Sequence, residues 1–132
     1  MKSKILIVDD EESIRYTFDQ FLTEAGYEVE TADSMQACLE KVRQEPFDLL
    51  FLDINLGEEN GLDALDPIRK LQPECSIVMI TGAFSSKSVL KARIHGASDY
   101  LAKPIRKASL LYVAGKELSM TRSRNRADEV SH

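Results

Sequence analysis

The sequence predicts an α/β protein built on a doubly wound parallel sheet. Two observations predict it: short apolar runs alternate with segments of helical period five times, and polar residues capable of chemistry fall directly after those runs. The first run is 5–8. Ile14, Phe18, Phe21, Leu22 and Ala25 then recur at the offsets of one helix face, and Gly26 stops that helix. A half-buried strand is expected at Glu28–Ala32. It leads to a helix marked by Met35, Cys38, Leu39 and Val42, with Ser34 as its N-cap. Residues 47–52, FDLLFL, form a continuous apolar run that suits a central strand covered on both faces. A loop over 54–60 enters a helix of about 61–71, where Pro67 predicts a late start or a bend near Asp66. A strand at 76–80, a helix of about 85–95, a short strand at Asp99–Ala102 and a last helix from Lys103-Pro104 to about Met120 complete the pattern. Parallel neighbours require right-handed crossovers, so helices cover both faces of the sheet.

Bulk composition narrows the possibilities. A length of 132 residues fits one domain with a single core. The division expected is a domain over 1–120 and a tail or linker over 121–132, where Arg122, Arg124, Arg126, Asp128 and Glu129 leave almost no apolar content. At 43% apolar and 30% charged, the body of the chain is not of disordered composition. A net charge of −5 argues against a broad nucleic-acid surface, so direct nucleic-acid binding is not expected. Cys38 and Cys75 form no CxxC or Cys/His group and read as two small core hydrophobes, not as a zinc site or disulfide framework. With no basic-then-apolar leader and no apolar run near the roughly 18 residues that span a bilayer, a soluble, cytoplasmic protein is expected.

The polar residues concentrate at one place. Asp9, Asp10, Glu11 and Glu12 follow the first strand with no basic residue until Arg15. Two unit charges about 4 Å apart at an effective dielectric near 20 interact by on the order of 4 kcal/mol, so such a cluster needs compensation. In doubly wound sheets ligands bind beyond the carboxyl ends of the strands. Asp9 and Asp10, Asp53, Thr81 and Lys103 all belong to that rim. Three carboxylates call for a hard, oxygen-seeking cation: magnesium first, with manganese or calcium as substitutes. No His or Cys stands near enough to favour zinc. Lys103 adds a positive charge and Thr81 a hydroxyl donor for a phosphoryl group, which leaves Asp53 as the natural acceptor, forming an aspartyl phosphate. Taken singly, each of these residues is an ordinary turn or cap residue. The set carries the signal.

The blocks IVDDEES, LLFLDINLGEENGLD, VMITG and GASDYLAKPI resemble, in order and spacing, the receiver domain of two-component response regulators, over about 4–120. The resemblance implies a flavodoxin-like fold with strand order 2-1-3-4-5. It makes Asp53 the phosphorylated residue, Asp9 and Asp10 the metal-binding acid pair, and Asn55 a metal ligand through its backbone carbonyl. Thr81 and Tyr100 become the switch hydroxyl and switch aromatic, and Lys103 the site lysine, with a cis bond to Pro104 common. It implies a protein that promotes its own phosphorylation and dephosphorylation instead of turning over a free substrate. Its partners would be a histidine kinase or phosphotransfer protein. The family often carries Met-Pro where this chain has Leu56-Gly57, a departure that adds backbone freedom.

Output is expected through helix 4, strand 5 and helix 5, with a homodimer through that face as one partner. On the last helix, Ile105, Ala108, Leu111 and Leu118 can form the buried stripe. Leu110 and Val113 then sit partly off it, as a partner contact or as part of a wide core face. Phe84 is either a further contact or a core residue at a helix start. Other functions weigh less. A haloacid dehalogenase-like phosphatase needs an acid two residues after the nucleophile, where Asn55 stands. GAFSSKS lacks the glycine that precedes the P-loop lysine, so Lys87 reads as helix surface. Three rim acids would repel a flavin phosphate. A pseudo-receiver that binds partners without phosphorylation shares all these residues.

Overall fold

Alternating apolar runs become five strands that pair in one sheet. The computed structural model describes residues 2–83 and 85–130, with side chains described as far as Thr121. In chain order the elements are β1 (Lys4–Val8), α1 (Glu12–Glu24), β2 (Glu28–Ala32), α2 (Met35–Gln44), β3 (Leu49–Asp53), α3 (Leu65–Leu71), β4 (Ser76–Thr81), α4 (Ser86–Ile94), β5 (Asp99–Ala102) and α5 (Lys107–Val130). The sheet runs β2-β1-β3-β4-β5 and every neighbour is parallel. This is the doubly wound order expected from the resemblance.

Strict alternation along the strands divides the core into two layers. Leu6, Val8, Leu50, Leu52, Ile77 and Met79 face α2, α3 and α4. Ile5, Ile7, Leu49, Phe51, Val78 and Ile80 face α1 and α5. All of β3 is buried, which explains why its sequence shows no polar alternation. Burial pushes the Cys38 thiol up to about 12, as befits an inert core residue.

Local signals set the ends of the elements. Ser34 Oγ accepts the Ala37 N–H at 3.1 Å and caps α2, and Ser85 Oγ accepts the Ser88 N–H at 3.1 Å and caps α4. Gly26 takes a positive φ of 97° after α1, as a helix terminator does. Pro67 is accommodated because α3 begins only at Leu65. A 3-10 turn, Gly61–Ala64, precedes it, so the missing proline N–H falls in the first turn, where it has no helical partner to lose. The loop over 54–60 contains a small antiparallel ribbon pairing Asn55 with Asn60 and Leu56 with Glu59.

The last helix differs from expectation in two ways. Its buried stripe is Leu110, Val113, Ala114, Glu117, Leu118 and Thr121, whereas Ile105 and Leu111 are half-buried and Ala108 is exposed. The apolar strip of Leu110 and Val113 is therefore core, and the stripe expected through Ala108 is rotated toward solvent. Both patterns have helical spacing, and the sheet selects the one whose last turns also carry Glu117 and Thr121. The helix also continues past Met120 to Val130. Thr121 Oγ1 lies 2.7 Å from Ser76 Oγ, tying the helix to the start of β4. Phe84 lies outside the described residues, as do the side chains of Arg122, Arg124, Arg126, Asp128 and Glu129.

This assignment of faces has a measurable consequence. Leu110→Ala should cost about 2–5 kcal/mol in urea unfolding, as a fully buried leucine does, whereas Leu111→Ala should cost clearly less. Equal losses would contradict the stripe.

Candidate functional site

Because every strand runs the same way, the strand-end residues share one rim. Asp9 follows β1 and is fully buried; its N–H donates to the Ala32 carbonyl at 3.1 Å. Asp53 ends β3 and is 2% exposed. Asp10 is exposed. One carboxylate oxygen from each of the three lies within 4.8 Å of the others, and no other group of three or more such side chains occurs among the described residues. The donor set is all oxygen, the chemistry a hard cation prefers.

Lys103 reaches this cluster because β5 pairs with β4, Thr81 opposite Ala102, and the Lys103 N–H donates to the Thr81 carbonyl at 2.7 Å. The Lys103-Pro104 bond is cis. The Lys103 ammonium donates to Asp53 Oδ2 at 2.8 Å and forms ion pairs with Asp9 Oδ2 at 3.1 Å and Glu11 Oε1 at 3.5 Å. Each buried acid also folds onto its own loop. Asp9 Oδ1 accepts the Glu11 N–H at 2.9 Å, and Asp53 Oδ1 accepts the Asn55 N–H at 2.9 Å. Burial is the largest influence on the Asp9 carboxyl and the negative charge of Asp53 adds to it. Together they raise its pKa above the ordinary value against the Glu11 N–H and Lys103. Burial lowers the pKa of Lys103, but bonds to Asp53 and Asp9 outweigh it and the net shift is upward, so the ammonium stays charged.

The other expected residues lie around this centre. Thr81 is 1% exposed, and its hydroxyl is engaged with Ala83, accepting the N–H at 3.0 Å and donating to the carbonyl at 3.1 Å. Tyr100 is half-buried against the α3 and α4 layer, with its hydroxyl oxygen buried. Asn55 is exposed, at the base of the ribbon.

Three further residues touch the site in ways the sequence did not indicate, although Leu56-Gly57 stood out as a departure from Met-Pro. Gly61 donates its N–H to the Ile54 carbonyl at 2.5 Å, and a Cβ there would stand 2.1 Å from the Asp53 carbonyl oxygen, so only glycine fits. Arg15 donates to the Asp9 carbonyl at 2.7 Å. Gly57 donates its N–H to Asp10 Oδ2 at 3.1 Å. A glycine eight positions after a strand-end acid is visible as a motif, but the close approach that requires it is not.

A parallel sheet in this order, with an acid cluster and a lysine at its carboxyl rim, defines a doubly wound α/β domain with an all-oxygen acidic site. The family model described as the response regulator receiver domain matches residues 5–114, and the chain belongs to that family. It is 39% identical over 119 residues to the alginate biosynthesis transcriptional regulatory protein AlgB of Pseudomonas aeruginosa, covering 90% of this chain and 26% of AlgB. The chain thus spans about a quarter of that relative's length. A CheY-like response regulator receiver domain protein from Methanospirillum hungatei JF-1 superposes with a TM-score of 0.91 at 32% identity, covering 94% of this chain and 99% of that one. A response regulator from Burkholderia pseudomallei, solved with a phosphorylated aspartic acid, a calcium ion and citrate, gives 0.83 at 29% identity, covering 96% and 75%.

Two outcomes follow from the packing and charge of the site. Gly61→Ala should destabilise the fold by about 1–3 kcal/mol or more, because backbone atoms of β3 must shift; a neutral effect in urea unfolding would contradict the close approach. With the Asp9 carboxyl raised, the native state holds that proton more tightly than the unfolded chain does. The contribution of Asp9 to stability therefore falls as pH rises from the ordinary carboxylate range through the raised value, and above it the charge is a standing penalty. Metal-free Asp9→Asn should lose that slope and be more stable than the wild type at neutral pH. A less stable variant would reverse the sign.

Proposed function

We propose that the chain is a phosphoacceptor switch: Asp53 receives a phosphoryl group from a histidine kinase or phosphotransfer protein, with magnesium, or manganese in its place, as cofactor. The observation that carries this reading is Asp53 at the buried end of β3, paired to Lys103 at 2.8 Å beside Asp9 and Asp10. Asp9, Asp10 and Asp53 would hold the cation, with the Asn55 carbonyl as a further ligand; all are oxygen donors, so the chemistry of the set fits. Bound there, the ion neutralises charge on the oxygens of the transferred group.

The chain's own residues account for the rest. An Asp53 carboxylate oxygen forms the new P–O bond as the donor's P–N bond breaks, and the departing imidazole takes its proton from water. β3 is buried along its whole length and paired on both sides, which holds the nucleophile in place. Lys103 moves its hydrogen bond from the carboxylate to a phosphoryl oxygen and stabilises the charge gathered there. The protein promotes its own phosphorylation and dephosphorylation and turns over no other substrate.

The Thr81 hydroxyl exchanges Ala83 for a phosphoryl oxygen, and Tyr100 repacks into the space it leaves. Output then passes through α4, β5 and α5. Leu90 and Ile94 on α4 and Tyr112 on α5 are exposed at 61%, 71% and 71%, which supports a protein partner, including a second copy, on this face. The division proposed is a switching unit over 1–120 and a tail or linker over 121–132, whose first residue, Thr121, is still buried and bonded to Ser76. A cytoplasmic location is consistent with the kinase partnership; among the described residues no helix is long and apolar enough to cross a membrane.

Acetyl phosphate or beryllofluoride with magnesium should shift the NMR signals of Thr81, Tyr100 and α5, and mass spectrometry should find one added phosphoryl group with acetyl phosphate. Asp53→Asn should abolish both effects. Unchanged spectra, or equal labelling of Asp53→Asn, would overturn the proposal.

A further inference from the structure

The three carboxylates are not held in the same way. Asp9 and Asp53 are buried, each is fixed by an N–H of its own loop, and both touch Lys103. Asp10 is exposed, and the hydrogen bond that orients it comes from across the rim, from Gly57 N–H to Asp10 Oδ2 at 3.1 Å. We infer that Gly57 is a positioning residue for Asp10: its N–H fixes one carboxylate oxygen and leaves the other for the cation. The inference rests on the phosphoacceptor reading above and adds to it a determinant of metal affinity.

The donor is itself held rigidly. Gly57 follows Leu56 at the turn of the ribbon between β3 and the 3-10 turn, at a φ of +63°, the left-handed region that glycine enters without strain. Both ends of that ribbon are anchored. Asn55 N–H is bonded to Asp53 Oδ1 and Gly61 N–H to the Ile54 carbonyl. Leu56 is 3% exposed, and Asn60 Oδ1 accepts the Leu62 N–H at 3.0 Å. The ribbon therefore acts as an arm from the acceptor loop to the first acid loop, 47 positions apart in sequence.

A proline at this place, as in the Met-Pro pattern the chain departs from, could not make this contact. It has no N–H, and its ring holds φ near −65°. Leu56-Gly57 thus gives this chain a bond to a cation ligand that the more usual pattern lacks. Groups that orient a metal's ligands from outside typically change affinity by about 10–100-fold when removed.

The test is magnesium binding to the metal-free full chain, followed by calorimetry and by backbone amide NMR, with urea unfolding to verify the fold. Gly57→Pro should weaken magnesium about ten-fold. Gly57→Asn, which keeps the N–H and tolerates a left-handed φ, should stay near the wild type, and Gly57→Ala should fall between them. In an Asp10→Ala background the Gly57→Pro penalty should vanish, since it acts through Asp10. Asp10→Ala should also move the Gly57 amide proton upfield as its acceptor is lost. If Gly57→Pro does not fold, the order of Asn over Ala and the amide shift decide the matter. Wild-type binding that is unchanged in the variants, a penalty that persists without Asp10, or an unmoved Gly57 amide would overturn the inference alone. A folded wild type that binds no magnesium at millimolar levels would overturn the phosphoacceptor reading and this inference with it.

Discussion

One ammonium set between two buried acids is the constraint on which the site depends. Asp9 and Asp53 are almost wholly removed from water, and Lys103 touches both, at 3.1 and 2.8 Å. Interactions at such distances are worth on the order of 4 kcal/mol each at an effective dielectric near 20, so removing the lysine would leave two like charges buried together. Yet one positive charge does not balance three carboxylates. The surplus negative charge, with oxygen donors only, is what makes the rim receptive to a divalent cation. The sheet is the prior condition, because β5 delivers Lys103 only if Ala102 pairs with Thr81.

The same economy governs the loop after Asp53. The backbone must turn sharply to hold the Asp53 carboxylate at the rim while its strand stays buried. Gly61 allows this by lying against the Asp53 carbonyl where no side chain fits. Gly57 uses the other property of glycine, a left-handed φ, to present an N–H to Asp10. Two glycines in one loop thus serve separate ends, close approach and reversed chirality.

The fold was largely readable in the sequence because its signals are local or periodic. The FDLLFL run, the Ser34 cap and the Gly26 stop each depend on a few neighbouring residues, and the structure has the strand, cap and helix end they imply. Pro67 was also informative, since its missing N–H is tolerated only in a first turn, and α3 begins at Leu65, later than the expected 61. The rotation of α5 was not readable. Leu110 and Leu111 are adjacent leucines on a helix with apolar residues on more than one face, and only contact with the sheet decides which is core. The positions of the rim acids and Lys103 were readable because each lies at, or within two residues of, the end of a strand. The contacts of Arg15, Gly57 and Gly61 were not, because they involve backbone atoms brought together by folding; the freedom of Leu56-Gly57 was visible, its bond to Asp10 was not.

Magnitudes limit how the proposed switch can work. Moving a two-state equilibrium from 1:99 to 99:1 takes about 5.5 kcal/mol of differential stabilisation. A hydrogen bond from the Thr81 hydroxyl to a charged phosphoryl oxygen contributes about 1.5–3 kcal/mol, and it is offset by loss of the existing bonds to Ala83. Thr81 alone can therefore bias the equilibrium but not drive it across. The remainder has to come from elements that move with it: Tyr100, whose hydroxyl oxygen is buried in the present packing, and α4, which has Ala92 as its buried residue while Leu90 and Ile94 face solvent. A helix so lightly anchored is inexpensive to shift, and covering its exposed leucine and isoleucine with a partner adds apolar burial to whichever packing the partner selects. On the proposed function, phosphate and partner would act on one equilibrium, each supplying part of what neither provides alone.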